Sequence, residues 1–228
     1  MSHKRPLIAV LSAVCVALLA GCASSGNSSR GPQEWDGLVR RPDARIDAVF
    51  VRPDAELVAF RSVLLEPVQI SFAPNFDPNQ GRRSLSGRLN ADDLAAIKER
   101  LAGLFHETFR TELARSGYTL VDVPGPETLR VTPAIINLFI AAPGDGSVGR
   151  SRVYTTDSGQ MTVVLEMRDS VTGELLARAV DGRNGRFSGQ MTWTNRQTNM
   201  ADAQHAITIW ARALRNGMDE VNAKVAAK

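Results

Sequence analysis

The sequence predicts an α+β fold, a single-layer mixed, mainly antiparallel sheet of about five strands packed by two amphipathic helices. Three observations lead there. Apolar residues recur at helical spacing in two long stretches, residues 94–109 and 207–225. Runs rich in β-branched and alternating apolar residues fill most of the chain between and before them. The strongest two runs meet at a tight Thr172-Gly173 turn, which makes them antiparallel and argues against a doubly wound parallel sheet.

Each element follows from local chemistry. Residues 61–72 (RSVLLEPVQISF) read as the first strand, with Pro67 marking an edge position or a bulge. Pro74, Pro78, Asn79 and Gly81 make residues 73–88 a loop. Asn90 then caps a helix whose first turn carries Asp92 and Asp93, carboxylates that suit the positive end of the helix dipole. Leu94, Ile97, Leu101, Leu104, Phe105 and Phe109 share one face of it, and Gly117 supplies a left-handed cap. That stripe is expected to bury on the sheet.

Strands at residues 118–123 and 129–141 flank the Pro124-Gly125-Pro126 turn. Met161, Val163, Leu165 and Met167 alternate with more polar neighbours in residues 160–169, and residues 174–181 complete the hairpin. Ile207, Trp210, Leu214, Met218, Val221 and Val225 form one helical stripe, so residues 200–226 make an amphipathic helix that closes over the sheet.

The amino terminus has a different character. Lys4 and Arg5 precede an apolar run over residues 7–20, too short to span a bilayer, which needs roughly 20 apolar residues. The run ends in Leu19-Ala20-Gly21-Cys22, which resembles a bacterial lipobox. The resemblance implies a cleaved signal peptide over residues 1–21, acylation of Cys22 (palmitate among its chains), and a periplasmic domain over residues 33–228 behind a tether at 22–32. Ala23, where Asp would retain the protein at the inner membrane, implies sorting to the outer membrane. An ordinary secretory signal cut nearby and an uncleaved anchor are the alternatives. Two or more acyl chains hold stably where one holds marginally. The small-residue tether has a reach of about 17 Å, so partners must come close.

Charge and cysteine content exclude several classes. The chain has 27 Lys+Arg against 24 Asp+Glu, and losing Lys4 and Arg5 with the signal leaves 25 against 24. No run of five or six like charges appears, so no nucleic-acid partner is expected. Cys15 leaves with the signal, and Cys22 is then the one mature thiol, capped by lipid. Disulfides and thiolate chemistry go with it.

The segments Trp35-Asp36-Gly37-Leu38, Val63-Leu64-Leu65-Glu66-Pro67-Val68, Val121-Asp122-Val123-Pro124-Gly125-Pro126 and Asp169–Ala177 (DSVTGELLA), with Trp210-Ala211, resemble the lipoproteins of domain-of-unknown-function family 3313. That resemblance implies a lipoprotein in the periplasm and carries no catalytic residue.

Candidate site residues are few. Gly144-Asp145-Gly146-Ser147-Val148-Gly149 spells G-x-G-x-x-G, but a polar loop follows where a dinucleotide site needs a helix, so no cofactor is expected. Residues 143–160 form a long connection in which Arg150 and Arg152 present forked donors and Tyr154 an amphipathic ring. This loop is the candidate partner-binding segment; a solvated connection is the alternative. Trp193, among polar residues before the last helix, is a candidate exposed aromatic, whereas Trp210 belongs to the core and Trp35 is expected to pack on the body. His106 and His205 fall on the polar sides of their helices and suggest no metal site. Glu66, Asp92, Asp93 and Glu166 are the available carboxylates, explained more simply by caps, turns and strand edges.

Together these readings describe an outer-membrane lipoprotein facing the periplasm, without enzymatic activity, that binds an envelope protein or a polymer such as peptidoglycan. A carboxylate hydrolase and a self-associating structural protein are the alternatives. Oligomeric state is not legible.

Overall fold

Three short strands precede the first that the sequence predicts: β1 (Glu34–Trp35), β2 (Leu38–Arg40) and β3 (Ala48–Val51). The computed structural model describes residues 32–42, 46–53, 55, 59–80, 88–140, 154–155, 159–184, 192–193 and 196–227. Asp36 and Gly37 join β1 to β2 with left-handed φ angles of 53° and 74°, a two-residue hairpin turn. Strands of two to four residues carry too few side chains for alternation to register.

The stretch over residues 61–72 is two strands, β4 (Ser62–Leu65) and β5 (Gln69–Phe72). Pro67 has no N–H for a ladder, and the chain breaks around it. Helix α1 (Ala91–Ala114) begins as expected: Asn90 Oδ1 accepts from the Asp93 N–H at 2.9 Å, and Asp93 Oδ2 accepts from the Asn90 N–H at 2.9 Å. Then come β6 (Thr119–Leu120), β7 (Thr128–Ile140), β8 (Tyr154–Thr155), β9 (Gly159–Asp169), β10 (Leu175–Asn184), β11 (Thr192–Trp193) and α2 (Arg196–Ala226). β6 is shorter than the predicted 118–123, and α2 starts four residues before the predicted 200.

The sheet corrects the expectation of about five, mainly antiparallel strands. Nine strands join in the order β1-β2-β3-β10-β9-β7-β4-β6, with β5 also on β7. Pairs from β1 to β7 along that order are antiparallel, but β4 with β6, β4 with β7 and β5 with β7 are parallel. The parallel pair β4–β6 follows from α1, which returns the chain to run in its starting direction. The predicted hairpin is β9–β10, antiparallel over most of its length.

Both helices pack on one face of this sheet. Leu101, Phe105, Phe109 and Leu113 of α1 and Ile207, Trp210, Leu214 and Met218 of α2 meet Val131 and Ile135 of β7 and Val163 and Leu165 of β9. Each large side chain fully buried in this way contributes about 1.5–3 kcal/mol. The opposite face carries a smaller cluster, Leu38, Ala48, Phe50 and Leu175. Trp35 stands edge-on to Phe50 at 5.6 Å and stacks over the Arg178 guanidinium at 4.1 Å, so it packs on the body as expected. Among the described residues, no helix is long and apolar enough to cross a membrane.

Candidate functional site

A cavity of about 500 Å³ opens where β7 ends, β9 begins and β10 ends, beneath the first turns of α2. Its floor is apolar: Leu101, Leu138, Met161 and Ala206 are all buried. Its rim is polar, with Arg100, Gln160, Asn184 and His205 exposed. A volume in this range with an apolar body and a few polar groups suits a bound small molecule or an inserted side chain.

Local backbone shapes the floor. The β7–β9 register shifts between Ile136 and Phe139, and Asn137 has a φ of 54°. An irregularity of this kind bends a strand and re-aims the side chains beyond it. Gly159, at a φ of 134°, lies against the Phe139 carbonyl so closely that a Cβ would collide with it.

One wall rests on a buried carboxylate. Asp181 is fully buried, yet Trp210 Nε1 donates to its Oδ2 at 2.7 Å, the Asp47 N–H to its Oδ1 at 2.9 Å, and Arg183 to both oxygens. Arg183, which lines the cavity, is therefore neutralised from behind. The cavity's own charge is small, with Arg100 and Asp202 as its other ionised residues.

The predicted partner-binding residues distribute unevenly. Arg150 and Arg152 lie outside the described residues, as do Cys22 and the Gly144–Gly149 glycines. Tyr154 and Trp193 are brought together, because β8 and β11 form a two-stranded antiparallel sheet in which they are direct partners. β7 and β10, the long strands that precede β8 and β11 in the chain, end at the cavity with Ile140 and Asn184. His205 lines the cavity, which its position on the polar side of α2 did not suggest. His106 is half-buried rather than a plain surface residue, and burial, reinforced by Arg110, holds its imidazole below the ordinary value.

The carboxylates named from sequence have structural partners. Asp93 belongs to the helix cap. Glu66 accepts from Thr132 Oγ1 at 3.0 Å. Glu166 accepts from Arg178 at 2.6 Å and from Arg168 at 3.1 Å, while Asp36 takes a second edge of Arg178 at 2.8 Å. Burial pushes Glu166 up, but hydrogen bonds and attraction from the two arginines outweigh it and hold the carboxyl below its usual range. Among the described residues no group of three His, Cys, Asp or Glu is arranged to hold a metal.

A second cavity, about 440 Å³, runs beside the other half of α2 against Val49, Val51 and Leu176. Its lining is almost wholly apolar, with the Arg41–Glu220 ion pair at its edge at 2.9 Å.

A family model described as a protein of unknown function (DUF3313) matches residues 28–214. The chain belongs to this family. Among curated proteins none matches this DUF3313 chain. Solved structures similar to it include the PelC dodecamer from Paraburkholderia phytofirmans, at 10% identity over 72% of this chain and 96% of that one, with a TM-score of 0.35. A DUF330 protein from Xanthomonas campestris matches at 11% identity over 77% and 93%, with a TM-score of 0.43. A putative neuraminyllactose-binding hemagglutinin homolog from Helicobacter pylori matches at 10% identity over 73% and 91%, with a TM-score of 0.39.

Proposed function

We propose that this DUF3313 chain is an outer-membrane lipoprotein whose periplasmic domain binds an envelope protein or polymer at the cavity mouth, without chemistry of its own. One observation carries the reading. An open cavity with an apolar floor and a polar rim lies where β7 ends and β9 begins, the strands joined by the connection over residues 143–160 that the sequence nominates for binding. Pre-formed concavity with an apolar body and a few polar groups is what a recognition site requires.

The lipobox at Cys22 supports the membrane address, and the short tether supports a partner at the membrane surface. Residues 1–21 are then removed and 22–32 serve as spacer. Crosslinking in intact envelopes tests the reading. A discrete complex is expected, and substituting Arg150, Arg152 or Trp193 with Ala lowers its yield while leaving the thermal midpoint unchanged. A stable triple variant that forms the complex at the parental yield would overturn this choice of surface.

A further inference from the structure

Away from the cavity, three arginines converge on a single carboxylate. Glu112 of α1 is 3% exposed, in the seam where α1 meets Arg212 and Arg215 of α2. Arg115 donates to its Oε1 at 2.6 Å, Arg215 to its Oε2 at 3.0 Å, and Arg212 Nε stands 3.3 Å from Oε1. One guanidinium would neutralise the carboxylate. The other two are surplus charge, and the nearby Asp219, one turn beyond Arg215, offsets only one while accepting from Tyr118 at 2.7 Å and Ser116 at 3.4 Å.

The geometry makes that surplus available. The side chains of Arg115 and Arg212 are 55% and 53% exposed, against 20% for Arg215. The buried carboxylate holds Arg115 by a hydrogen bond and Arg212 by an ion pair, each through one nitrogen of its guanidinium. Held in this way, a guanidinium loses little further entropy on meeting an oxyanion, and its fork matches two phosphate oxygens. Arg115 also ends α1, where a cation suits the dipole, but that accounts for one of the three.

We infer that this seam is a docking surface for the phosphate groups of an anionic phospholipid membrane, with Arg115 and Arg212 as the contacting residues and Glu112 as the group that positions them. The assignment to lipid rests on the membrane-tethered reading above; the charge surplus does not. Each arginine near an anionic membrane surface gains enough to slow its chemical modification about fivefold.

Phenylglyoxal labelling of the full chain, read residue by residue by mass spectrometry, tests this. Vesicles of phosphatidylcholine alone are compared with an equimolar mixture containing phosphatidylglycerol. Arg115 and Arg212 are expected to react about fivefold more slowly with the anionic vesicles, to recover in high salt, and to leave Arg61, 77% exposed elsewhere, unaffected. Equal reactivity in both vesicles, or equal protection of Arg61, would overturn the proposal. Protection by inorganic phosphate alone beside neutral vesicles would replace the membrane with a free oxyanion and overturn the lipid assignment. The labelling works on acylated or unacylated chain, so failure of the anchor, read from intact mass, stays separate.

Discussion

Asp181 lies on the apolar face of β10, where its carboxylate is satisfied by donors from three different parts of the chain, two on each oxygen. Replacing Trp210 with Phe removes the indole donor and leaves Oδ2 with Arg183 alone. The expected loss is about 1.5–3 kcal/mol, read from urea unfolding. A parental midpoint would mean that this hydrogen bond contributes nothing. Glu166 makes a pH-dependent contribution of definite sign. Its carboxyl is held below the ordinary 4.5, so the stability it adds is present above that value and is lost as pH falls through the lower folded one. Glu166→Gln should flatten the acid limb of the unfolding curve in that window, and an unchanged limb would contradict the ion-pair account. Trp210 was legible as core because its helical stripe is regular. Its partner was not, since the predicted strand ended on Asp181 and one sequence does not say which helix covers which strand.

The irregular end of β7 decides the shape of the site at the scale of elements. Gly159→Ala forces a side chain into left-handed backbone against the Phe139 carbonyl. A loss of roughly 1–3 kcal/mol is expected, and a thermal midpoint equal to the parent's would show that β7 and β9 need no such contact. Helix α1, the β9–β10 hairpin and α2 were readable because capping, alternation and the 3.6-residue period act within each segment. The three leading strands were not, because two to four residues carry too few side chains for alternation to register, and at Pro67 the sequence marked an irregularity but not a division into two strands. Among the site elements, the connection over residues 143–160 declared itself by length, but the cavity depends on a register shift that leaves no compositional trace.

For the whole molecule, the two helices share one face of the sheet, and Trp35, Arg178 and Glu166 organise the other. If Cys22 holds the chain to the membrane, Cys22→Ser should move it from the membrane to the soluble fraction of lysed cells without lowering its thermal midpoint. An unmoved variant would contradict the anchor. The binding claim is separate and is tested at the cavity. A photocrosslinking residue at Gln160, on the rim, is compared in living cells with one at Glu99, an exposed position of α1 outside the cavity lining. A discrete adduct is expected from position 160 and none of the same mass from position 99. Identical adducts from both positions, or none from the rim, would contradict it.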